Sequence, residues 1–322
     1  MKYDSLLRTV GDEPRPGIVY VATRRHAETL AKTLAEKGVR AAAYHAGLKT
    51  AERERIQRDF MDGRCEVIVA TNAFGLGVDK PNVRFVFHLD MPDSVEAYYQ
   101  EIGRGGRDGQ PARALLFYRP QDAGVRRAMV STGKIQVSEF ERVAHALREQ
   151  GGRARQEELQ ARTEIGSRRL LKVIDDLRRS GAAAVTPSGE VVAAAMEDPA
   201  EVVDRAARRR EAFRQYRVGR VELMCAYAET QECRRRYILN YFGEHVEQDC
   251  GNCDRCGEGA AARCARQAVP FPLHARVRHP AFGGGTVMRY EGDSLVVLFD
   301  TAGSRKLALA HLQLNHLLEL AA

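Results

Sequence analysis

Five short apolar runs, separated by stretches of helical spacing, constrain this chain more than any other feature. The first, Gly17-Ile-Val-Tyr-Val-Ala, ends at Thr23, and the others span residues 39–44, 65–71, 83–89 and 113–118. Between the first two, Ala27, Leu30 and Leu34 recur at the spacing of one helix face, over a helix expected from about Arg25 to Glu36 and stopped by Gly38. A charged helix capped by Thr50 runs to about Met61. Strands alternating with helices predict a parallel sheet covered on both faces. Such a sheet gathers its ligands at the carboxyl ends of its strands.

The polar residues at those ends are Thr23-Arg24-Arg25, His45-Ala-Gly-Leu-Lys49, Ala70-Thr71-Asn72-Ala-Phe-Gly-Leu-Gly-Val-Asp79-Lys80-Pro81 and Gln100-Glu101-Ile-Gly-Arg104-Gly-Gly-Arg107-Asp108-Gly109. Singly, each has an ordinary explanation: Gly75 and Gly77 make a turn, and Arg104 and Arg107 are a solvated helix face. Together and in this order they point to a site. Two arginines three apart on one helical turn face the same way. Positive charge so placed suits phosphoryl transfer, where bond cleavage spreads charge over the γ-phosphate oxygens.

The run from Gly17 to Gly109 resembles the second RecA-like lobe of superfamily 2 helicases, and its Ala-Phe-Gly-Leu-Gly-Val-Asp-Lys-Pro and Gln-Glu-Ile-Gly-Arg-Gly-Gly-Arg-Asp-Gly wording resembles motifs V and VI of the RecQ family. The resemblance implies Arg107 as the arginine finger with Arg104 beside it. Gln100 would couple the nucleotide to lobe closure, and Asp79 would orient water, ribose or the finger. Arg24, His45 and Thr71, with nearby backbone amides, would hold DNA phosphates, which position a strand without reading its sequence. A phosphate-binding G-x-x-x-x-G-K-[ST] run is missing from the sequence, as is an Asp-Glu-x-His run for Mg²⁺. The expectation is therefore that ATP and Mg²⁺ bind only with a first lobe the chain does not supply, that Met1 starts an excised fragment, and that the fragment alone is inactive.

Between residues 131 and 196 three helices and a hairpin form a winged-helix pattern. A helix capped by Ser138 runs to Gln150, a short one spans Gln156–Arg162 and a longer one Ser167–Arg179. Arg168, Arg169 and Lys172 are expected to face outward at the front of the last helix, where phosphates are met. A winged helix serving protein contacts is the alternative. RecQ proteins carry a winged helix after their zinc module, whereas this one precedes the cysteine cluster, which puts a strand-separating role for Pro187-Ser188-Gly189 in doubt.

Of seven cysteines, Cys233, Cys250, Cys253 and Cys256 group as one residue ahead of a Cys-x-x-Cys-x-x-Cys run. Four thiolates make a closed, structural zinc site. An iron–sulfur cluster is the rival, although the fourth Cys of the ferredoxin pattern is absent at Gly259-Ala260. The Cys-Arg-Arg…Asn-Tyr-Phe-Gly-Glu wording resembles the RecQ zinc module. Cys225 and Cys264 are spare, and His245 is a substitute ligand less favoured than the four. Two helices, Pro199 to about Arg217 and Val221 to about Tyr227, are expected ahead of the cluster. The basic Arg208-Arg209-Arg210 stretch is either a DNA contact or a solvated face.

From about residue 270, short alternating strands with glycine-rich turns predict a small β-barrel. The Val-x-His-Pro-x-Phe-Gly-x-Gly-Thr-Val run resembles the Tudor-like domain that ends UvrD/PcrA-type helicases, where it makes protein or nucleic-acid contacts.

The fold class is thus an α/β RecA-like parallel-sheet lobe (1–125), a winged helix (131–196), a helical four-cysteine zinc module (197–262) and a small barrel (270–320). The net charge of +7 favours a polyanionic partner, and no apolar run approaches a membrane span. The resemblance implies the C-terminal portion of a 3′-to-5′ DNA helicase of repair and recombination. It would be cytoplasmic and nucleoid-associated in a bacterium, and would act on single-stranded DNA and duplex junctions, with a protein partner open to the barrel. A DNA-binding or adaptor module working without ATP is the rival from another class.

Overall fold

The computed structural model describes residues 2–74, 79–131, 135–194, 198–244, 246, 248–257, 270–272, 275–291 and 293–320. Its first sheet is parallel. Strands β1 (Gly17–Tyr20), β2 (Ala41–Tyr44), β3 (Val67–Ala70), β4 (Phe85–His88) and β5 (Arg113–Leu116) lie in the order β2-β3-β1-β4-β5. β1 sits at the centre, with Gly17 level with Val67 on one side and Phe85 on the other.

Side chains alternate across the sheet, so each face has its own core. Val19, Val67, Val69, Phe85 and Phe87 meet helix α1 (Lys2–Asp12) and helix α2 (Arg24–Glu36). Ile18, Tyr20, Ile68 and Val86 meet helix α3 (Thr50–Met61) through Ile56 and Phe60. The apolar runs give no signal for α1, whose Leu6 and Val10 are wholly buried. Thr23 caps α2 by accepting the His26 N–H at 3.1 Å. Thr50 does not cap α3: it is the first helical residue, and Lys49 holds the cap position without a side-chain bond. Helix α4 (Val95–Ile102) is capped by Ser94.

Helix α5 (Pro120–Ser131) leads away from β5. There follow α6 (Val137–Glu149), β6 (Arg153–Arg155), α7 (Gln156–Thr163), α8 (Ser167–Arg179), β7 (Ala183–Val185) and β8 (Glu190–Ala193). The three strands pair antiparallel in the order β6-β8-β7. Phe140, Val143, Leu159, Leu170, Val173 and Leu177 fill the core between helices and strands. Gln136, not Ser138, stands at the start of α6, and its N–H is held by the Glu139 carboxylate at 2.6 Å.

The two helices expected next are one. Helix α9 runs unbroken from Pro199 to Glu229. Its glycine, Gly219, would ordinarily weaken a helix interior. Here a Cβ on Gly219 would lie 2.4 Å from the Leu298 side chain, so the glycine permits close packing rather than a break. Val203 and Ala206 of α9 enter the core of the preceding helical unit. Val221, Met224 and Tyr227 enter a second core with Met91, Val95 and Tyr98 of the first lobe and with Tyr237 and Ile238 of helix α10 (Arg234–Tyr241). A single turn, α11 (Asp254–Gly257), closes the cysteine run.

The tail is an antiparallel sheet of β9 (Arg276–His279), β10 (Gly283–Glu291), β11 (Ser294–Phe299), β12 (Gly303–Ala308) and β13 (Glu319–Leu320). Their order is β12-β11-β10-β9-β13, and helix α12 (Leu309–Leu314) lies between the last two in sequence. Val277, Val287, Val297 and Phe299 form its core, while Leu298 reaches into the core around α9.

Candidate functional site

Because β2, β3, β1 and β4 are parallel neighbours, the segments after them converge at one edge. The turn after α4 carries Arg104, Arg107 and Asp108. The arginines were expected on one helical turn, yet α4 ends at Ile102 and both lie beyond it. The backbone reverses at Gly106, whose φ of +66° suits glycine, and an added Cβ there would stand 2.7 Å from the Gln110 carbonyl. The Gly106 N–H donates to Val83 O at 2.9 Å and the Asp108 N–H to Pro81 O at 3.2 Å. The segment around Asp79 and the segment around Arg107 are thereby stitched together by main-chain bonds.

The reversal sends the two arginines different ways. Arg107 is exposed; its Nη1 donates to Asp79 Oδ1 at 2.7 Å and its Nε to Gly103 O at 3.0 Å. Arg104 is half-buried and lies against the Tyr20 hydroxyl. Burial, then the Glu101 carboxylate, raises the Tyr20 hydroxyl above its usual range, and Arg104 opposes the shift. That hydroxyl donates to Phe74 O at 3.1 Å. Glu101 turns inward to the buried His88 ring, its Oε2 lying 2.7 Å from Nε2. Tyr20 stacks on His88 at 5.1 Å and Tyr98 tilts against it at 4.9 Å. Gln100 stays exposed beside Arg104 and Arg107, along a cleft of about 1530 Å³ that runs from this turn past β5 to Arg235, Asn252 and Asp254.

The residues expected to meet phosphates separate by burial. Arg24 is exposed, its guanidinium packed on the Gly47 backbone. His45 does not face solvent as expected: it is 2% exposed and both ring nitrogens are used. The Gly47 N–H donates to Nδ1 at 3.2 Å, which leaves the proton on Nε2, 3.1 Å from Glu28. These bonds tie the loop at Gly47 to Glu28 of α2. Thr71 is also buried. Gly75 and Gly77 lie outside the described residues. On α8, Arg168 and Lys172 are exposed. Arg169 departs from the expectation of facing outward: its guanidinium forks onto Glu139 of α6, one arm at 2.6 Å.

The four cysteines come from two places. Cys233 is the residue before α10, wholly buried; Cys250, Cys253 and Cys256 come from the turn that follows. Their Sγ atoms all lie within 4.8 Å of one another. Cys250 to Cys256 is 3.9 Å and Cys253 to Cys256 is 3.4 Å. Four thiolates tetrahedral around zinc stand about 3.8 Å apart, as follows from a Zn–S bond of about 2.3 Å. The donor set therefore fits a structural Zn²⁺. Burial would raise the Cys253 thiol, but the Arg234 and Cys256 backbone N–H groups donate to it and bring it down to about 7. The Cys250 N–H points to Cys233 Sγ at 3.3 Å. Arg234 locks the turn in place, with 2.7 and 2.9 Å bonds to Asp254 and a 2.7 Å bond to Tyr227 O. His245 and Cys264 lie outside the described residues; Cys225 is buried near Met91, remote from the four.

Two family models match this chain: "Helicase conserved C-terminal domain" over residues 1–109 and "RecQ zinc-binding" over residues 196–257. The chain carries the C-terminal half of a RecQ-like superfamily 2 helicase. The ATP-dependent DNA helicase RecQ of Haemophilus influenzae is 36% identical over 75% of this chain and 27% of its own length. The probable ATP-dependent DNA helicase RecS of Bacillus subtilis is 32% identical over 80% of the chain and 49% of its length. The ATP-dependent DNA helicase Q5 of Rattus norvegicus is 53% identical over 33% of the chain and 11% of its length. The chain thus spans about a quarter of the Haemophilus protein and about half of the Bacillus one. The first sheet lies within the match to the helicase C-terminal domain, and all four cysteines lie within the match to the RecQ zinc-binding module. Sequence reasoning missed Tyr20, His88 and Glu101 as a buried cluster behind the arginine turn. A histidine closing the apolar run Phe85–Phe87 was the available signal.

Proposed function

We propose that this chain is the C-terminal portion of an ATP-dependent 3′-to-5′ DNA helicase and supplies the arginine finger, Arg107. The observation that carries this is the Arg107–Asp79 pair. It is exposed, beside Gln100, on a turn stitched to the segment before it. Surface ion pairs contribute at most about 1 kcal/mol, so the guanidinium can leave Asp79 for a phosphate at little cost. Asp79 holds the finger until then. Arg104, drawn inward to Tyr20, sets the turn and adds positive field behind the finger. ATP and Mg²⁺ would be gripped by a separate first lobe. When bound, the nucleotide presents a γ-phosphate whose developing charge Arg107 neutralises.

In this reading residues 1–125 are the lobe, 131–196 a winged helix, 197–262 the zinc module and 270–320 a small Tudor-like barrel open to a protein partner. Arg24, Arg168 and Lys172 meet DNA phosphates, whereas His45, Thr71 and Arg169 act by shaping the loops and helices that bear them. Single-stranded DNA and duplex junctions are the substrates, in repair and recombination in a bacterial cytoplasm. The test joins the chain to an upstream ATP-binding lobe and measures DNA-stimulated hydrolysis with Arg107→Ala. Loss of turnover with DNA affinity retained supports the motor. Unchanged turnover removes Arg107 from the mechanism, and hydrolysis by this chain alone would overturn the division of labour.

A further inference from the structure

Helix α9 carries seven arginines, and they are not equivalent. Arg208 pairs with Asp204 at 2.6 Å, Arg210 with Asp176 at 2.5 Å, Arg214 with Glu211 at 2.6 Å and Arg220 with Glu96 at 3.3 Å. Arg205 is engaged as well. Arg209 and Arg217 have no hydrogen bond or ion pair among the described residues. Midway between them Phe213 leaves 53% of its surface exposed.

At 3.6 residues per turn, Arg209, Phe213 and Arg217 fall within an arc of about 80°. Asp204 and Glu211 lie about 160–180° from Phe213, on the far side, so no carboxylate of α9 neutralises the stripe. Ala206 and Met224 share the helix face of Phe213, about 20° around, and both are buried, one in each core. The face is therefore packed at Ala206 and engaged again at Arg220, which lies about 20° from Phe213 and bonds Ser94 and Glu96, and it is open between them over about 21 Å.

We infer that this window is a single-strand DNA track, in which Arg209 and Arg217 hold phosphates and Phe213 stacks an unpaired base. Charge complementarity selects a polyanion, and the exposed ring selects one with free aromatic faces. A duplex keeps its bases stacked on each other, and a polyanion without aromatic faces, such as heparin, leaves the ring unstacked. This rests on the DNA-binding part of the function proposed above and adds a place on the chain to it. Stacking on Phe213 is independent of base identity, so the track carries the strand without reading it.

The chain contains no tryptophan, so Phe213→Trp places a lone indole reporter in the window. The experiment titrates that variant with an oligo-dT strand, a blunt duplex and heparin. Anisotropy of labelled DNA is followed alongside indole emission, after the melting curve has been matched to that of the parent chain. Oligo-dT is expected to quench the indole, and heparin and duplex are not. In the parent chain, Phe213→Ala is expected to weaken oligo-dT binding at least about fivefold. Arg209→Ala and Arg217→Ala are each expected to lower the slope of log affinity against log salt by about 0.7. Arg208→Ala, on the far side, should stay within about twofold of the parent. Oligo-dT binding with indole emission unmoved, or quenching by heparin as strong as by oligo-dT, overturns the track and leaves the DNA reading intact. No anisotropy change with any DNA overturns the DNA reading itself.

Discussion

The zinc module and the arginine turn both concentrate charge, and they do so in opposite ways. The four thiolates face inward, within 4.8 Å of one another, backed by the wholly buried Cys233 and by main-chain N–H groups. Nothing further is needed to complete them except the cation. Arg107 faces outward, its carboxylate partner the 78% exposed Asp79. The first arrangement is finished and holds structure. The second is open on one side, and its exposed pair leaves the guanidinium able to exchange Asp79 for another anion at little cost. Arg169 and Glu139 stand between these extremes: the carboxylate is 7% exposed and the guanidinium 40%.

The contrast can be broken at several points. Removing the metal is expected to have the largest effect, because structural zinc contributes about 10–16 kcal/mol of apparent binding energy to folding. A strong chelator should unfold residues around α10 and lower the melting temperature, and Cys253→Ser should abolish zinc stoichiometry. Unchanged helicity and melting with chelator would make the cluster something other than structural. Next comes Arg107→Ala in a protein completed by its first lobe. Turnover should fall about 10³-fold or more with melting unaffected. If melting falls instead, the residue belongs with the closed sites.

Glu139→Gln should cost on the order of 1 kcal/mol, since a charge-assisted bond is lost but the exposed guanidinium is screened. Its pH dependence carries a sign. The Arg169 bond, together with the Gln136 N–H, holds the Glu139 carboxyl below its usual value. Its stabilisation is therefore complete above the unfolded value of about 4.3 and is lost as pH falls through the lower folded value. Acid melting curves of Glu139→Gln should lack that component; identical pH profiles would mean the pair contributes nothing. Asp79→Ala should be smallest, within about 1 kcal/mol by denaturant titration. A larger loss would show that Arg107 is anchored rather than poised.

Much of this was legible in sequence for a physical reason: strand and helix periods, and metal-ligand spacing, are local. β1 to β5 follow from runs such as Gly17–Tyr20 and Phe85–His88, and Cys250, Cys253 and Cys256 declare their turn by spacing alone. What was not legible depends on partners far along the chain. Gly105-Gly106 had to be seen pinned to Val83 before it was clear that Arg104 and Arg107 diverge. Gly219 looks like a helix break until Leu298 is found against it. Arg169 reads as a phosphate contact until Glu139, thirty residues earlier, claims it. His45 reads as a ligand until Glu28 and the Gly47 N–H occupy both nitrogens.

The unbroken α9 also fixes a phase relation along the chain. Arg210 must reach Asp176, and Arg220, ten residues further on, must reach Glu96. One residue inserted between them would rotate one end by about 100° against the other and advance it by about 1.5 Å. Both pairs could not then be kept. Only insertions near whole numbers of turns would preserve the alignment, so the spacing of those two arginines works as a ruler for how the lobe and the helical unit face each other.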